Sequence, residues 1–158
     1  MPTLYMMIGV PASGKSTWLQ KTIKNPSRCD ILSTDYYIDQ YAEAVDRTYN
    51  EVFSEFISQA TREMEKDLKI AVDNDLDIYW DQTNLNRKTR ANKLKKIPSY
   101  YKKVAVVFPI PEANEWVRRL ESRPGKTIPS DVLVNMINTF AEPTLDEGFD
   151  EILEVNNG

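Results

Sequence analysis

Gly9-Val10-Pro11-Ala12-Ser13-Gly14-Lys15-Ser16 decides how this chain folds. The run fits G-x-x-x-x-G-K-[ST], the P-loop pattern, whose backbone amides cradle phosphate. Before it stands an apolar, strand-like run over 4–8, Leu4-Tyr-Met-Met-Ile8. After it, residues 17–23 read as a helix, because Trp18, Leu19 and Ile23 are spaced to share one face. The plain alternative is a glycine-containing turn ahead of a helix. A strand-to-helix turn is the context that confirms a cradle instead. Gly9 and Gly14 let the backbone curl until several N–H groups point inward, and the helix N-terminus adds positive potential. The expected phosphate cradle therefore runs through Gly9, Ala12, Ser13, Gly14, Lys15, Ser16 and Thr17. Lys15 should reach the β- and γ-phosphates of a nucleotide such as ATP, and the Ser16 hydroxyl should ligate Mg²⁺.

The rest of the composition narrows the class. The 158 residues suit a single domain, 1–158, that buries roughly 70% of its unfolded surface. A hydrophobic share of 41% with 28% charged residues places the chain among ordinary soluble globular proteins. The formal net charge of −4 argues against broad, nonspecific duplex binding, which needs a basic footprint. It leaves room for a local basic groove. The single cysteine, Cys29, rules out an internal disulfide and fits a reducing, cytoplasmic setting; it reads as a small core residue near a strand start. There is no histidine, so a general base must be a carboxylate and metal sites cannot use imidazole. The opening apolar run is too short for a membrane span or signal segment.

Further along, strand-like runs alternate with helical patterns. Strands are expected over 29–33, 76–80, 103–108 and 151–155. Helices are expected over 35–46, 49–72, 87–97, 112–122 and 130–140. In the helix over 35–46, Tyr37, Tyr41, Ala44 and Val45 share a side. In the long helix, Val52, Phe53, Phe56, Ile57, Ala60, Met64, Leu68 and Ala71 step by three or four, which reads as one buried stripe. Pro111 is expected to open the helix that follows it. Strand, P-loop and repeated β/α units imply a parallel sheet with helices on both faces, and ligands in such sheets sit at the carboxyl ends of strands. That rule gathers Gly9–Ser16, Ser33-Thr34-Asp35 and Asp81-Gln-Thr-Asn84 at one crevice.

Phosphoryl transfer needs a cradle, Mg²⁺, an acceptor-activating carboxylate and cations for the spreading negative charge. Asp35, just past the second strand, is the candidate base; the competing role is a helix N-cap. Asp81 ends the third strand beside the P-loop, where an acid can hold Mg²⁺ through water; the competing role is a turn residue. Arg119 and Arg123 straddle a helix end and a Pro-Gly loop that can close as a lid over about 119–129. Alternatively they complement the helix macrodipole.

The ordered set Ile8-Gly-Val-Pro-Ala-Ser-Gly-Lys-Ser-Thr-Trp18, Asp35-Tyr-Tyr37, Thr83-Asn-Leu-Asn86, Arg119 with Arg123, and Ile128-Pro-Ser-Asp-Val-Leu133 resembles the kinase domain of the bacteriophage polynucleotide 5′-kinases, within the wider P-loop kinases. The resemblance covers nearly the whole chain. It implies a P-loop kinase fold with a five-stranded parallel sheet and a lid. It also implies an ATP- and Mg²⁺-dependent enzyme acting on nucleic-acid ends, DNA or RNA. By it, Asp35 is the general base on a 5′-hydroxyl, Arg123 the lid arginine that stabilises the transition state, and Arg119 a contact to the nucleotide donor. Thr83, with Asn84 beside it, helps hold acceptor phosphate, and Ile128 packs on an acceptor base. Asp81 matches the D-x-T-N form of the wider group, whereas the phage enzymes carry their acid one place nearer the threonine, where Gln82 stands here.

One departure bears on the acceptor. The family has an arginine for acceptor phosphate three residues past its catalytic aspartate, and this chain has Ile38. Either Arg87 or Lys88 takes that job, or the acceptor differs. The family's phosphatase domain is not in this sequence, so 3′-end processing is not expected. The leading expectation is a polynucleotide 5′-hydroxyl kinase, with the basic helix from Arg87 to Lys96 and the nearby Tyr100 and Tyr101 as a phosphate-tracking wall or simply a solvated face. A kinase of another hydroxyl, on a hydroxymethylated base, nucleoside or small metabolite, is the alternative that Ile38 and the acidic charge favour. A nucleotide-binding module without catalysis would not need Asp35, Asp81 and Arg123 together.

Overall fold

The computed structural model describes residues 1–156. Five strands form one sheet: β1 (Thr3–Ile8), β2 (Cys29–Leu32), β3 (Asp77–Trp80), β4 (Lys102–Val107) and β5 (Glu151–Glu154). Their spatial order is β2-β3-β1-β4-β5, and every pairing is parallel. The helices are α1 (Lys15–Thr22), α2 (Thr34–Ala44), α3 (Tyr49–Asp73), α4 (Arg87–Leu94), α5 (Ala113–Glu121) and α6 (Ser130–Thr139).

β1 is the central strand, and its side chains alternate between the two faces as the pleat requires. Leu4, Met6 and Ile8 pack with Met64, Leu68 and Ala71 of α3 and with Leu94 of α4. Met7 packs on the other face with Leu19 of α1, Val106 and Phe108. Helices therefore cover both faces, as expected. A third cluster joins α2 to α3 through Ile38, Ala42, Val52 and Ala60. A fourth, of Val10, Leu85 and Trp116 with Leu133 and Met136, packs α5 and α6 beside the P-loop.

Local chemistry sets the helix starts. Thr48 and Glu51 form a reciprocal capping box at the head of α3, which contributes about 1 kcal/mol. Ser33 caps α2, its hydroxyl accepting from the Asp35 N–H at 3.2 Å. Asp35 is therefore not the cap, and its carboxylate is free to face outward from the first turn.

Four expectations need correction. α1 begins at Lys15, two residues early, because Gly14 in the left-handed region (φ 101°) serves as its N-cap. The buried face of α2 is Thr34, Ile38 and Ala42, while Val45 at its end is exposed, since α2 packs on α3 through Ile38 and Ala42. Phe53 leaves the buried stripe of α3 and is 41% exposed. α5 begins at Ala113 with Glu112 as its N-cap, so Pro111 stands outside the first turn; the Glu112 carboxylate accepts from the N–H groups of Asn114 and Glu115. A short 3₁₀ turn at Leu145–Glu147 was not expected.

Candidate active site

The P-loop is held open by its neighbours. A Cβ on Gly9 would sit 2.8 Å from Phe108 Cβ and 2.6 Å from Ser13 Oγ, so only glycine fits. The Gly9 N–H donates to Thr83 O at 3.0 Å, and the Gly9 carbonyl accepts from Lys15 Nζ at 2.9 Å. Both polar groups of Gly9 are thus engaged within the protein, and this residue shapes the cradle without facing its interior. The Ser13 side chain is likewise buried under the loop. From the far side, Trp116 Nε1 donates to Pro11 O at 2.7 Å, and Arg119 Nη1 to Ala12 O at 3.2 Å. Ala12 takes a left-handed conformation (φ 61°), uncommon for a residue with a Cβ, at the crest of the turn.

Two clefts meet at this loop. One, of about 700 Å³, is lined by Ala12, Gly14, Lys15, Ser16, Thr17, Lys21, Arg119 and Arg123. The other, of about 810 Å³, is bordered by Thr34, Asp35, Asp81 and Thr83 on the sheet side and by Lys126, Ile128 and Val132 on the lid side. Ala12, Lys15, Ser16 and Arg123 line both. The Arg123 Nη1 is buried there with no hydrogen-bond partner among the described residues.

The charges at the junction interact. Burial pushes the Lys15 ammonium below the ordinary lysine range; Asp81 and Asp35 oppose that, and Arg123 adds to it. Burial pushes the Asp81 carboxyl up, Lys15 pulls it down, and Asp35 pushes it up. A bound polyphosphate would supply the negative charge that Lys15 and Arg123 lack. Asp35 Oδ1 accepts from the Tyr49 hydroxyl at 2.6 Å. Burial and that hydrogen bond to Asp35 push the Tyr49 phenol well up, so Tyr49 stays a donor and fixes one oxygen of the carboxylate.

The lid lies on the N-terminal end of α3. The N–H and side-chain amide of Asn50 donate to the carbonyls of Gly125 (2.9 Å) and Thr127 (3.0 Å). Gly125 has φ +72°, and a Cβ there would meet Thr48 Cβ at 2.9 Å. Lys126 pairs with Asp39 at 2.8 Å and stands over the Tyr49 ring, 4.9 Å from its centroid. The lid thereby carries Arg123, Lys126 and Ile128 to one cleft.

Two expected substrate contacts fall elsewhere. Arg87 is drawn off by Asp146 and Thr144 and does not line either cleft. Asn84 is 2% exposed with φ 50°, and its amide nitrogen donates to Met7 O at 2.7 Å. It locks the loop after β3 to β1 and does not face the cleft. The basic helix is not a continuous wall: Arg90 is fully buried and paired with Glu147, Lys96 pairs with Glu65, and Lys93 turns inward. Ile38 is 0% exposed in the α2–α3 core, so that position does not offer its side chain to an acceptor at all. The sequence reading missed Lys21, Tyr49, Asn50, Phe53 and Lys126. Lys126 in the Pro-Gly loop was the only one with a visible signal, as a cation inside the expected lid.

Ser16 and Asp81 line the same cleft and offer a hydroxyl and a carboxylate, hard oxygen donors of the type Mg²⁺ takes. Among the described residues no three His, Cys, Asp or Glu side chains gather to hold a metal, so remaining ligands would come from nucleotide phosphate and water.

A family model described as an AAA domain matches residues 4–143. The chain belongs to this AAA-domain family. The AAA-domain match contains the P-loop, Asp35, Asp81 and the lid. Mouse heterogeneous nuclear ribonucleoprotein U-like protein 2 is 28% identical over 155 residues, 93% of this chain and 20% of that protein. The chain thus spans about a fifth of the length of the curated relatives it matches. Among solved structures, a chain of the Pnkp1/Rnl/Hen1 RNA repair complex superposes with a TM-score of 0.67 at 22% identity, covering 87% of this chain and 43% of that one. A fungal RNA kinase gives 0.56 at 14% identity over 99% and 75% of the two chains. A gluconokinase from Sinorhizobium meliloti gives 0.54 at 18% identity over 98% and 82%. The fold is that of the P-loop kinases, and the five-stranded parallel sheet agrees with it. No helix among the described residues is long and apolar enough to cross a membrane.

Proposed function

We propose that this AAA-domain chain is an ATP-dependent kinase that transfers the γ-phosphate to the 5′-hydroxyl of a nucleic-acid end. The observation that carries the reading is the pair of clefts sharing Lys15, Ser16 and Arg123, with a carboxylate, Asp35, in only the second. A donor nucleotide in the first cleft would lay its γ-phosphate at the shared border. An acceptor hydroxyl in the second would meet Asp35. That oxygen attacks phosphorus, its proton passes to Asp35, and the bond to the β–γ bridging oxygen breaks to release ADP. Lys15 and Arg123 stabilise the charge that spreads over the transferring group. Arg119, tied to Glu115 and Ala12 O, stands on the donor side. Bound at Ser16 and Asp81, Mg²⁺ would neutralise charge on the phosphate oxygens.

For the acceptor, Ile38 is buried and Arg87 lines neither cleft, whereas Lys126 lines the second cleft beside Lys15 and Arg123, where an acceptor phosphate would compete with its partner Asp39. We assign Lys126 the acceptor phosphate, and Ile128 and Phe53 the flat face of the acceptor base. A second reading, a small hydroxylated acceptor, is favoured by Arg87, Arg90 and Lys96 being drawn into pairs with acids of this chain, which removes a long track for a polymer. Incubation with γ-labelled ATP and Mg²⁺ beside a 5′-hydroxyl oligonucleotide, its 5′-phosphorylated twin, a nucleoside and a nucleoside 3′-phosphate separates these. Label on the 5′-hydroxyl oligonucleotide and on the 3′-phosphate, but not on the twin, supports the first reading. Label confined to the free nucleoside, or to none of the four, overturns it.

A further inference from the structure

Lys93 is a lysine turned into the protein with no carboxylate within ion-pair distance among the described residues. Its ammonium donates to Gln82 Oε1 at 2.7 Å and also to Asn84 Oδ1, and it stands 5.1 Å from the centroid of the Trp80 ring. An ammonium has donors and no acceptor. It therefore obliges both amides to present their oxygens and to aim their NH₂ groups away. Gln82 Nε2 then reaches Thr34 Oγ1 at 3.2 Å, one residue before Asp35. Asn84 Nδ2 reaches Met7 O at 2.7 Å, on the strand that leads into the P-loop. Between the two amides lies Thr83, whose carbonyl accepts from the Gly9 N–H. One partly buried charge thus links the carboxyl ends of β1, β2 and β3, the three places from which the cleft is built.

We propose that Lys93 is a positioning residue: its ammonium fixes the two flanking amides so that the loop after β3 presents Thr83 and Asp81 to the cleft. Among the described residues nothing else near it explains an inward-turned cation. Trp80 and the amides hold it, and the charged groups acting on it, Lys15 from α1 and Lys96 just past the end of α4, are both repulsive. Burial, with those two lysines, lowers it to about 7. Once it loses its proton, the amine gains a lone pair, and the Asn84 amide can turn its NH₂ toward it, whereas Gln82 Oε1 still accepts from Trp80 Nε1 at 3.1 Å. Such a turn of Asn84 would break the Met7 link.

Two arms test this. In ¹⁵N spectra of the wild-type protein, the side-chain amide signals of Gln82 and Asn84 should move together as pH rises through about 7, and in Lys93→Met they should not titrate. The kinetic arm rests on the kinase reading above. There, Lys93→Met should lower kcat toward the acceptor about 10²-fold, as a misplaced reacting group does. Its affinity for ATP should stay within about a factor of two, and Lys93→Arg, again a donor-only cation, should recover most of the loss. The wild-type titration needs no substitution, so it decides the question even if Lys93→Met fails to fold. Gln82 and Asn84 signals that ignore pH, or kcat unchanged in Lys93→Met, would overturn the proposal. A wild-type protein that labels no acceptor counts against the kinase reading, and the spectral arm then judges Lys93 alone.

Discussion

Arg123 brings a guanidinium to the border of the two clefts and leaves Nη1 buried with no partner among the described residues. A buried, unsatisfied charged donor is costly, and the transferring phosphoryl group is the anion that would satisfy it. Arg123→Ala should therefore lower kcat by about 10³–10⁵, the range of arginines that stabilise phosphoryl transfer, while ATP still binds. Steady-state kinetics with an ATP-binding titration checks it. Lys93 makes a prediction for stability. The unfolded chain keeps that proton to about 10.4, and the folded one only to about 7. Between those values the unfolded state binds the extra proton, so folding stability rises with pH, and below about 7 the full cost of the partly buried charge is present. Lys15 acts in the same direction. The difference between wild type and Lys93→Met isolates Lys93: the variant should gain stability relative to wild type at pH 6 and lose that advantage toward pH 10. Urea midpoints across that range would show it.

Helix α4 is the element whose role changed most between sequence and structure. Its lysines and arginines look like a solvated or nucleic-acid-facing stripe in the sequence. Arg90 is instead fully buried, bonded to Glu147 and to the carbonyls of Asn84 and Leu85. Nothing local announces this, because Glu147 lies far along the chain on the turn before β5. Arg90→Met, which leaves the Glu147 carboxylate without its partner, should cost about 3–5 kcal/mol, read as a lowered Tm. The lid belongs to the same scale. Gly125 needs its positive φ and its contact with Thr48, so Gly125→Ala should lift the lid from α3 and displace Arg123 and Lys126. Turnover should fall about tenfold or more, with Tm nearly unchanged because Gly125 and its contact Thr48 lie outside the four apolar clusters. A variant as active as wild type would show that the docked lid does not matter.

At the scale of the whole molecule, the sheet was legible because β1 to β4 are each a short strand-like run followed by a helical pattern. The P-loop fixed which end of the sheet carries the site. Strand order was not legible, since it depends on pairings between distant segments such as β1 with β3 and β4. Asp35, Asp81, Thr83, Arg123 and Ile128 were found as residues, and the structure brings them to one cleft. Phe53 was hidden inside a periodic stripe, because periodicity assigns a face but not where the helix runs past its partners. Tyr49 was hidden, and Lys126 visible only as a cation in the expected lid, because their value lies in contacts across segments, to Asp35 and Asp39.

The central claim is that Asp35 takes the proton from an acceptor hydroxyl at the junction of two clefts. The most direct test measures ATP binding and transfer of the γ-phosphate to a 5′-hydroxyl oligonucleotide side by side, for wild type and Asp35→Asn. The account predicts equal ATP affinity, rapid labelling by wild type and transfer all but abolished in the variant. An Asp35→Asn protein that labels the oligonucleotide as fast as wild type would contradict it.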